Sequence, residues 1–154
     1  MYQKMRRADR QVTEDECITI IKANNAGTLS LSDTNGYPYG VPLNYMFHSD
    51  AIYFHCAKEG KKIDLIAQNA KACFTVIGKN EVVPKDVSTN YQSVIIFGDI
   101  EIVADKQLKH DMLIELGAHF GCERGMLEGY VAAHENACHL LRLNIAYMSG
   151  KARR

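Results

Sequence analysis

GTLSLSDTNGYPYGVPLNYMFHSDAIYFHC (residues 27–56) decides the fold class. Thr28 to Ser32 reads as a short strand. Asp33-Thr34-Asn35-Gly36 then forms a turn, with the Asn-Gly pair that favours a tight hairpin. Tyr37 to Phe47 is a second strand. His48-Ser49-Asp50 turns it into a third, Ala51 to Cys56. Strands joined by turns this short pair antiparallel.

Working outward, Thr13-Glu14-Asp15-Glu16 reads as a capping box. It opens a helix to about Ala23 with Cys17, Ile20 and Ile21 inward. Downstream, Ala57 to Gly60 is a loop before a short helix, Lys61 to Gln68. Lys71 to Ile77 is a fourth strand, and Gly78 to Asn90 a polar loop containing Pro84. Tyr91 to Val103 is a long fifth strand, kinked or bulged near Gly98. Leu108, Met112, Leu113, Leu116 and Phe120 give Lys106 to about Phe120 a helical apolar face. Gly121 to Gly129 is a loop, and Cys138 to Met148 a sixth strand. The expectation is a mainly β fold with added helices: one domain over residues 1–154, built as a six-stranded antiparallel barrel with helices packed outside. The helix after the third strand would plug an end or a side of it.

Lys plus Arg and Asp plus Glu number 18 each, so nothing in the overall charge announces nucleic acid or a membrane surface. The ends are basic, with Lys4, Arg6, Arg7 and Arg10 near one and Lys151, Arg153 and Arg154 near the other. They are solvated tails or a rim for an anionic ligand. Five cysteines without a CxxC pair argue against a disulfide framework and a zinc site, and fit reduced thiols in a cytoplasm. No signal peptide or membrane span is expected.

The chemistry centres on YFHCAKEGKKIDLI (residues 53–66). Lys61 and Lys62 stand where a helix begins, although a helix start carries unpaired N–H groups and disfavours cations by about 0.3–1 kcal/mol each. A bound phosphate reverses that sign, and Gly60 would let it approach the backbone. The alternative is a basic solvated loop. A Walker loop is excluded, because His55 stands where its first glycine should be and Lys62 where its Ser or Thr should be. Val41-Pro42-Leu43-Asn44 puts a proline inside a strand, which marks an edge, a bulge or a ligand-facing wall. His55 ends its strand beside the candidate anion site, as a structural histidine or a proton donor. Ser93 could add a hydroxyl there, or be an ordinary strand residue. His134 and His139 are one residue too far apart for a zinc-protease helix, so no metal is expected. His110 and His119 read as surface residues.

In order and at similar spacing, MRRADRQVTEDECITII, GTLSLSDTNGYPYGVPLNYMF, IYFHCAKEGKKIDLI, ACFTVIG, YQSVIIFGDI and the closing MSGKA cover most of the chain. Together they resemble the pyridoxamine-phosphate-oxidase-related flavin-binding proteins, in the branch named for 5-nitroimidazole resistance. The resemblance implies a split β-barrel that forms a homodimer with FMN at its interface. Carried over by position, Lys61 and Lys62 would hold the phosphate with Ser93 as helper. Val41, Pro42, Leu43 and Asn44 would line the isoalloxazine. His55 and Ala57 would lie where the strand passes the flavin, with His55 at the reactive face. The segment from about Lys106 to Asn136 matches less well.

The resulting expectation is a cytoplasmic FMN-dependent reductase of nitroaromatic compounds, with NAD(P)H as candidate electron donor. The competing reading keeps FMN and drops the reaction, leaving a storage or sensing protein. Vitamin-phosphate oxidation and haem breakdown on the same barrel rank below both, since arginine-rich substrate motifs are missing.

Overall fold

The computed structural model of the chain describes residues 2–154. Eight strands lie in one antiparallel sheet: β1 (Gln11–Val12), β2 (Ala26–Ser32), β3 (Pro38–Asn44), β4 (Met46–His48), β5 (Ala51–Ala57), β6 (Lys71–Val83), β7 (Ser88–Ile102) and β8 (Cys138–Arg153). The helices are α1 (Glu14–Lys22), α2 (Lys61–Gln68), α3 (Lys106–His119) and α4 (Arg124–His134).

The strands run in the order β3-β2-β6-β7-β8-β5-β4, with β1 added to β8. The two ends of that path, β3 and β4, are separated in sequence by Tyr45 alone. One kinked segment therefore pairs with β2 on one side and β5 on the other, and this closes the sheet into a split barrel. Tyr45 is buried, its N–H donates to the Asn25 carbonyl at 3.1 Å, and its ring meets Phe74 edge-on.

The barrel interior holds Leu29, Phe54, Phe74, Val76, Ile96, Leu141 and Leu143. Leu65 and Ile66 bring α2 into the same core, as the plug reading expects. A second core lies on the outside, where Ala51, Tyr53 and Leu140 meet Met112, Leu113 and Leu116 of α3 and Val131 of α4. Strand β5 thus serves two cores. Its residues 51–54 are all buried, so they read as a continuous apolar run rather than an alternation.

The capping box forms as expected. The Glu16 N–H donates to Thr13 Oγ1 at 3.2 Å, and the Thr13 N–H donates to the Glu16 carboxylate at 3.1 Å. Cys17, Ile20 and Ile21 face inward. A bulge is also present at Gly98: Phe97 pairs with Tyr147 and Gly98 with Ile145, so Ala146 is the extra residue.

Five expectations change. The single strand from Tyr37 to Phe47 is two strands broken at Tyr45. The polar loop from Gly78 to Asn90 is instead a hairpin that extends β6 and β7, with Asn80 paired to Tyr91 and Val83 to Ser88. Its exposed side chains carry no alternation signal, and the turn is Pro84–Asp86 with Val87 at φ 46°. The loop expected over Gly121 to Gly129 is helical from Arg124, the start of α4; Leu127 and Val131, one turn apart, are buried. The last strand extends to Arg153, gaining pairs with β1 and the start of β7. Nor is the Asn-Gly turn a two-residue one. Ser32 pairs with Pro38, so five residues cross over, with the Asn35 N–H donating to Asp33 Oδ1 at 2.8 Å.

Candidate functional site

The unit β5–loop–α2 positions the basic pair. β5 ends at Ala57, and Gly60 turns the chain at φ 120° and ψ 166°, a conformation essentially confined to glycine. Gly60 is also the N-cap of α2, and no side chain caps it. The Gly60 carbonyl accepts from Ile63 N–H at 2.9 Å and Asp64 N–H at 3.2 Å, which leaves the Lys61 and Lys62 amides at the open helix end. A Cβ on Gly60 would meet nothing within 4 Å, so the approach is clear.

Lys61 is exposed, and its ammonium stands 5.1 Å from the Tyr39 ring centroid. That contact sets the start of α2 beside β3. Within β3, Val41 and Leu43 pack on the barrel core while Pro42 and Asn44 are exposed. Pro42 is tolerated because β3 pairs only with β2, an edge in its own right. Asn44 donates from its carboxamide to the Asn25 carbonyl at 3.0 Å. Ala57 is exposed, opposite Cys138.

One further cation, Lys109, and a histidine, His139, meet this end of β5 where it pairs with β8. Cys56 pairs with His139 and Ala57 with Cys138. The Lys109 ammonium donates to the Cys138 carbonyl at 2.7 Å. His139 has its pKa pushed down by burial and then by the positive charges of Lys109 and Lys58. Burial likewise pushes the Cys56 thiol up, with the Lys62 charge opposing it. The loop end of β5 is therefore a cationic environment. Lys58 belonged to the segment singled out in the sequence. Lys109 and His139 were not linked to this segment in the sequence, because the sheet register brings His139 near and the packing of α3 brings Lys109.

His55 is exposed on the outward face of β5, the face that carries Ala51 and Tyr53. It lines a cavity of about 370 Å³ between α3 and α4, whose apolar wall includes Leu113, Leu116, Phe120, Leu127 and Val131. Gly117, Cys122, Tyr130, His134, Glu135, Ala137 and Cys138 complete it. An exposed imidazole at the edge of an apolar enclosure can hold or deliver a proton to a bound molecule. Sequence reasoning reached His55 and the apolar face of α3, but not Leu127 and Val131, because α4 was not anticipated.

Ser93 is not brought to the lysines within one chain. It pairs with Ile77 and Lys151, whereas Tyr39, through Leu31, lies level with the start of β6. The separation is about five strand residues, roughly 16 Å. Ser93 faces outward with Ile95 and Phe97, since the intervening Val94 and Ile96 are buried.

The model of the family described as pyridoxamine 5'-phosphate oxidase matches residues 13–152. Among solved structures, a candidate 5-nitroimidazole antibiotic resistance protein from Bacteroides thetaiotaomicron is 21% identical, with a TM-score of 0.74 over 92% of this chain and 85% of that one. An FAD-binding protein from Mesorhizobium loti is 23% identical, with a TM-score of 0.68 over 94% and 98%. A conserved hypothetical protein from Mycobacterium tuberculosis is 16% identical, with a TM-score of 0.84 over 98% and 91%. At these identities the likeness is one of fold. No curated protein matches the chain. Among the described residues no helix is long and apolar enough to cross a membrane.

Proposed function

Because the chain belongs to the pyridoxamine 5'-phosphate oxidase family, we propose that it is an FMN-dependent oxidoreductase that reduces nitroaromatic compounds such as 5-nitroimidazoles. One observation carries this reading. A single strand–loop–helix unit presents an uncapped, glycine-led helix start with Lys61 and Lys62, and an exposed imidazole, His55, on an apolar cavity. Fold neighbours that include an FAD-binding protein and a candidate nitroimidazole resistance protein favour it.

The residues fit the cofactor. The Lys61 and Lys62 amides and ammoniums suit a phosphate dianion, and Gly60 leaves its approach open. Val41, Pro42, Leu43 and Asn44 offer an apolar edge with one carboxamide for a flat ring, and Ala57 leaves room where β5 passes it. When bound, FMN supplies transfer of two electrons from a donor such as NAD(P)H to the acceptor. Nitro reduction consumes protons, and His55 is the group that holds one beside the acceptor. The apolar wall lines one side of that position.

The complete site needs a homodimer in this reading. Ser93 is too far from the lysines of its own chain, and Ile77 (63% exposed) and Ile95 (39% exposed) share its outward face. A second copy packed there would bury these side chains and supply Ser93 to its neighbour's phosphate. The five free thiols fit a reducing cytoplasm.

The test mixes the purified protein with FMN, a reductant and a nitroimidazole and follows the nitro absorbance. Bleaching faster than with free FMN supports a reductase. Tight FMN binding with no acceleration would leave a storage or sensing protein.

A further inference from the structure

The cavity beside His55 has a composition that sorts ligands by charge. None of its lining residues is Lys or Arg. Its one carboxylate, Glu135, contacts His110 Nδ1 at 2.6 Å and is already engaged. His134 is committed as well: its Nδ1 lies 2.8 Å from the Tyr130 carbonyl, and its ring stacks on Tyr130 at 4.2 Å. A dianion placed here would meet Glu135 and apolar side chains, with only the His55 imidazole at the edge to offset its lost hydration. The lysines lie outside the lining: Lys58, Lys61 and Lys62 follow β5, and Lys109 on α3 is engaged with the Cys138 carbonyl at 2.7 Å.

The size of the cavity is fixed by a close helix contact. A Cβ on Gly117 would lie 2.5 Å from Leu127 Cδ2, so α3 and α4 approach through a glycine and set the wall spacing. A volume of about 370 Å³ is at the lower end for small-molecule pockets. Phe120 and Tyr130 supply aromatic surface to the enclosure.

We infer that the cavity between α3, α4 and His55 takes an uncharged aromatic molecule of one or two rings and excludes phosphate esters. It rests on the reductase reading only for what happens to that molecule. The pyridoxal-type phosphates implied by the family's description are therefore not ligands of this cavity.

The test uses a matched pair, 4-nitrobenzyl alcohol and its phosphate ester, titrated into the full chain with and without FMN. Methyl NMR reports Leu116, Leu127 and Val131. The alcohol should shift these methyls and saturate, with the ester at least tenfold weaker. Ala137→Trp, an exposed lining position, should block the alcohol. Cys122→Arg, also exposed, should narrow the alcohol-to-ester ratio several-fold. Equal binding of the pair, shifts confined to methyls elsewhere, or no saturation by the alcohol would overturn the inference. Binding without turnover would instead count against the reductase and leave the ligand class standing.

Discussion

The Tyr45 hydroxyl donates to the Ile21 carbonyl at 2.6 Å. One residue therefore both kinks the strand that closes the barrel and ties that kink to the end of α1. Burial raises the phenol's pKa, which keeps it a donor. Tyr45→Phe should cost about 1 kcal/mol, because the Ile21 carbonyl retains the Asn24 N–H at 3.3 Å. Urea unfolding of the two proteins gives the difference.

Lys61→Ala combined with Lys62→Ala should weaken FMN roughly 10- to 100-fold, the range of a lost charge-assisted contact. Riboflavin, lacking the phosphate, should be nearly unaffected. Calorimetric titration with both ligands decides it. A parallel loss for both would make the lysines structural.

Gly60→Ala addresses the backbone itself. At φ 120° and ψ 166° a Cβ is strained even though no neighbour touches it. The substitution should destabilise the protein by about 1–3 kcal/mol. If the loop relaxes instead, the Lys61 amide moves and FMN affinity falls while stability is kept. Unchanged stability together with unchanged affinity would contradict the site geometry.

His55→Ala should retain bound flavin but slow nitro reduction by about 10²-fold or more, the usual scale for a lost proton donor. The absorption spectrum after desalting measures retention, and single-turnover oxidation of reduced flavin measures the chemistry. A wild-type rate would remove His55 from the mechanism.

His110 bridges α3 to the end of α4. Its Nδ1 lies 2.6 Å from Glu135 and its Nε2 3.2 Å from Glu128. Hydrogen bonding to Glu135, then to Glu128, raises its pKa above the ordinary value of about 6.5. A group whose folded pKa is raised stabilises fully below its unfolded pKa, and that stability is lost as pH rises through the folded value. Urea midpoints should therefore fall across the window that starts near 6.5 and extends upward. His110→Gln should flatten that part of the profile.

The legible parts of the fold were the local ones. Thr13 and Glu16 are three residues apart, and their reciprocal bonds depend on nothing else. Gly98 could be read because a glycine inside a strand has few other uses. In the structure a Cβ there would collide with the Asn144 carbonyl oxygen. Helix α4 was hidden because Gly125 and Gly129 weaken its propensity and few apolar residues mark its face. The far end of the β6–β7 hairpin was hidden because its side chains are mostly exposed, which erases the period of two. At the site, Lys61, Lys62 and His55 stood out through their own segment. His139 did not, since its place depends on pairing across more than eighty residues of chain, nor did Lys109, which the packing of α3 brings to the Cys138 carbonyl.

Strand β8 joins β1, β5 and β7 at once, so its late position in the sequence shapes biosynthesis. A nascent polypeptide grown only to Ala137 can form the β2–β3, β4–β5 and β6–β7 ribbons, but the other edge of β5 still lacks its partner. Until the following sixteen residues leave the ribosome, Leu140 is missing from one hydrophobic assembly and Leu141 from the other. Both would then consolidate together, in a slow step set by distant contacts.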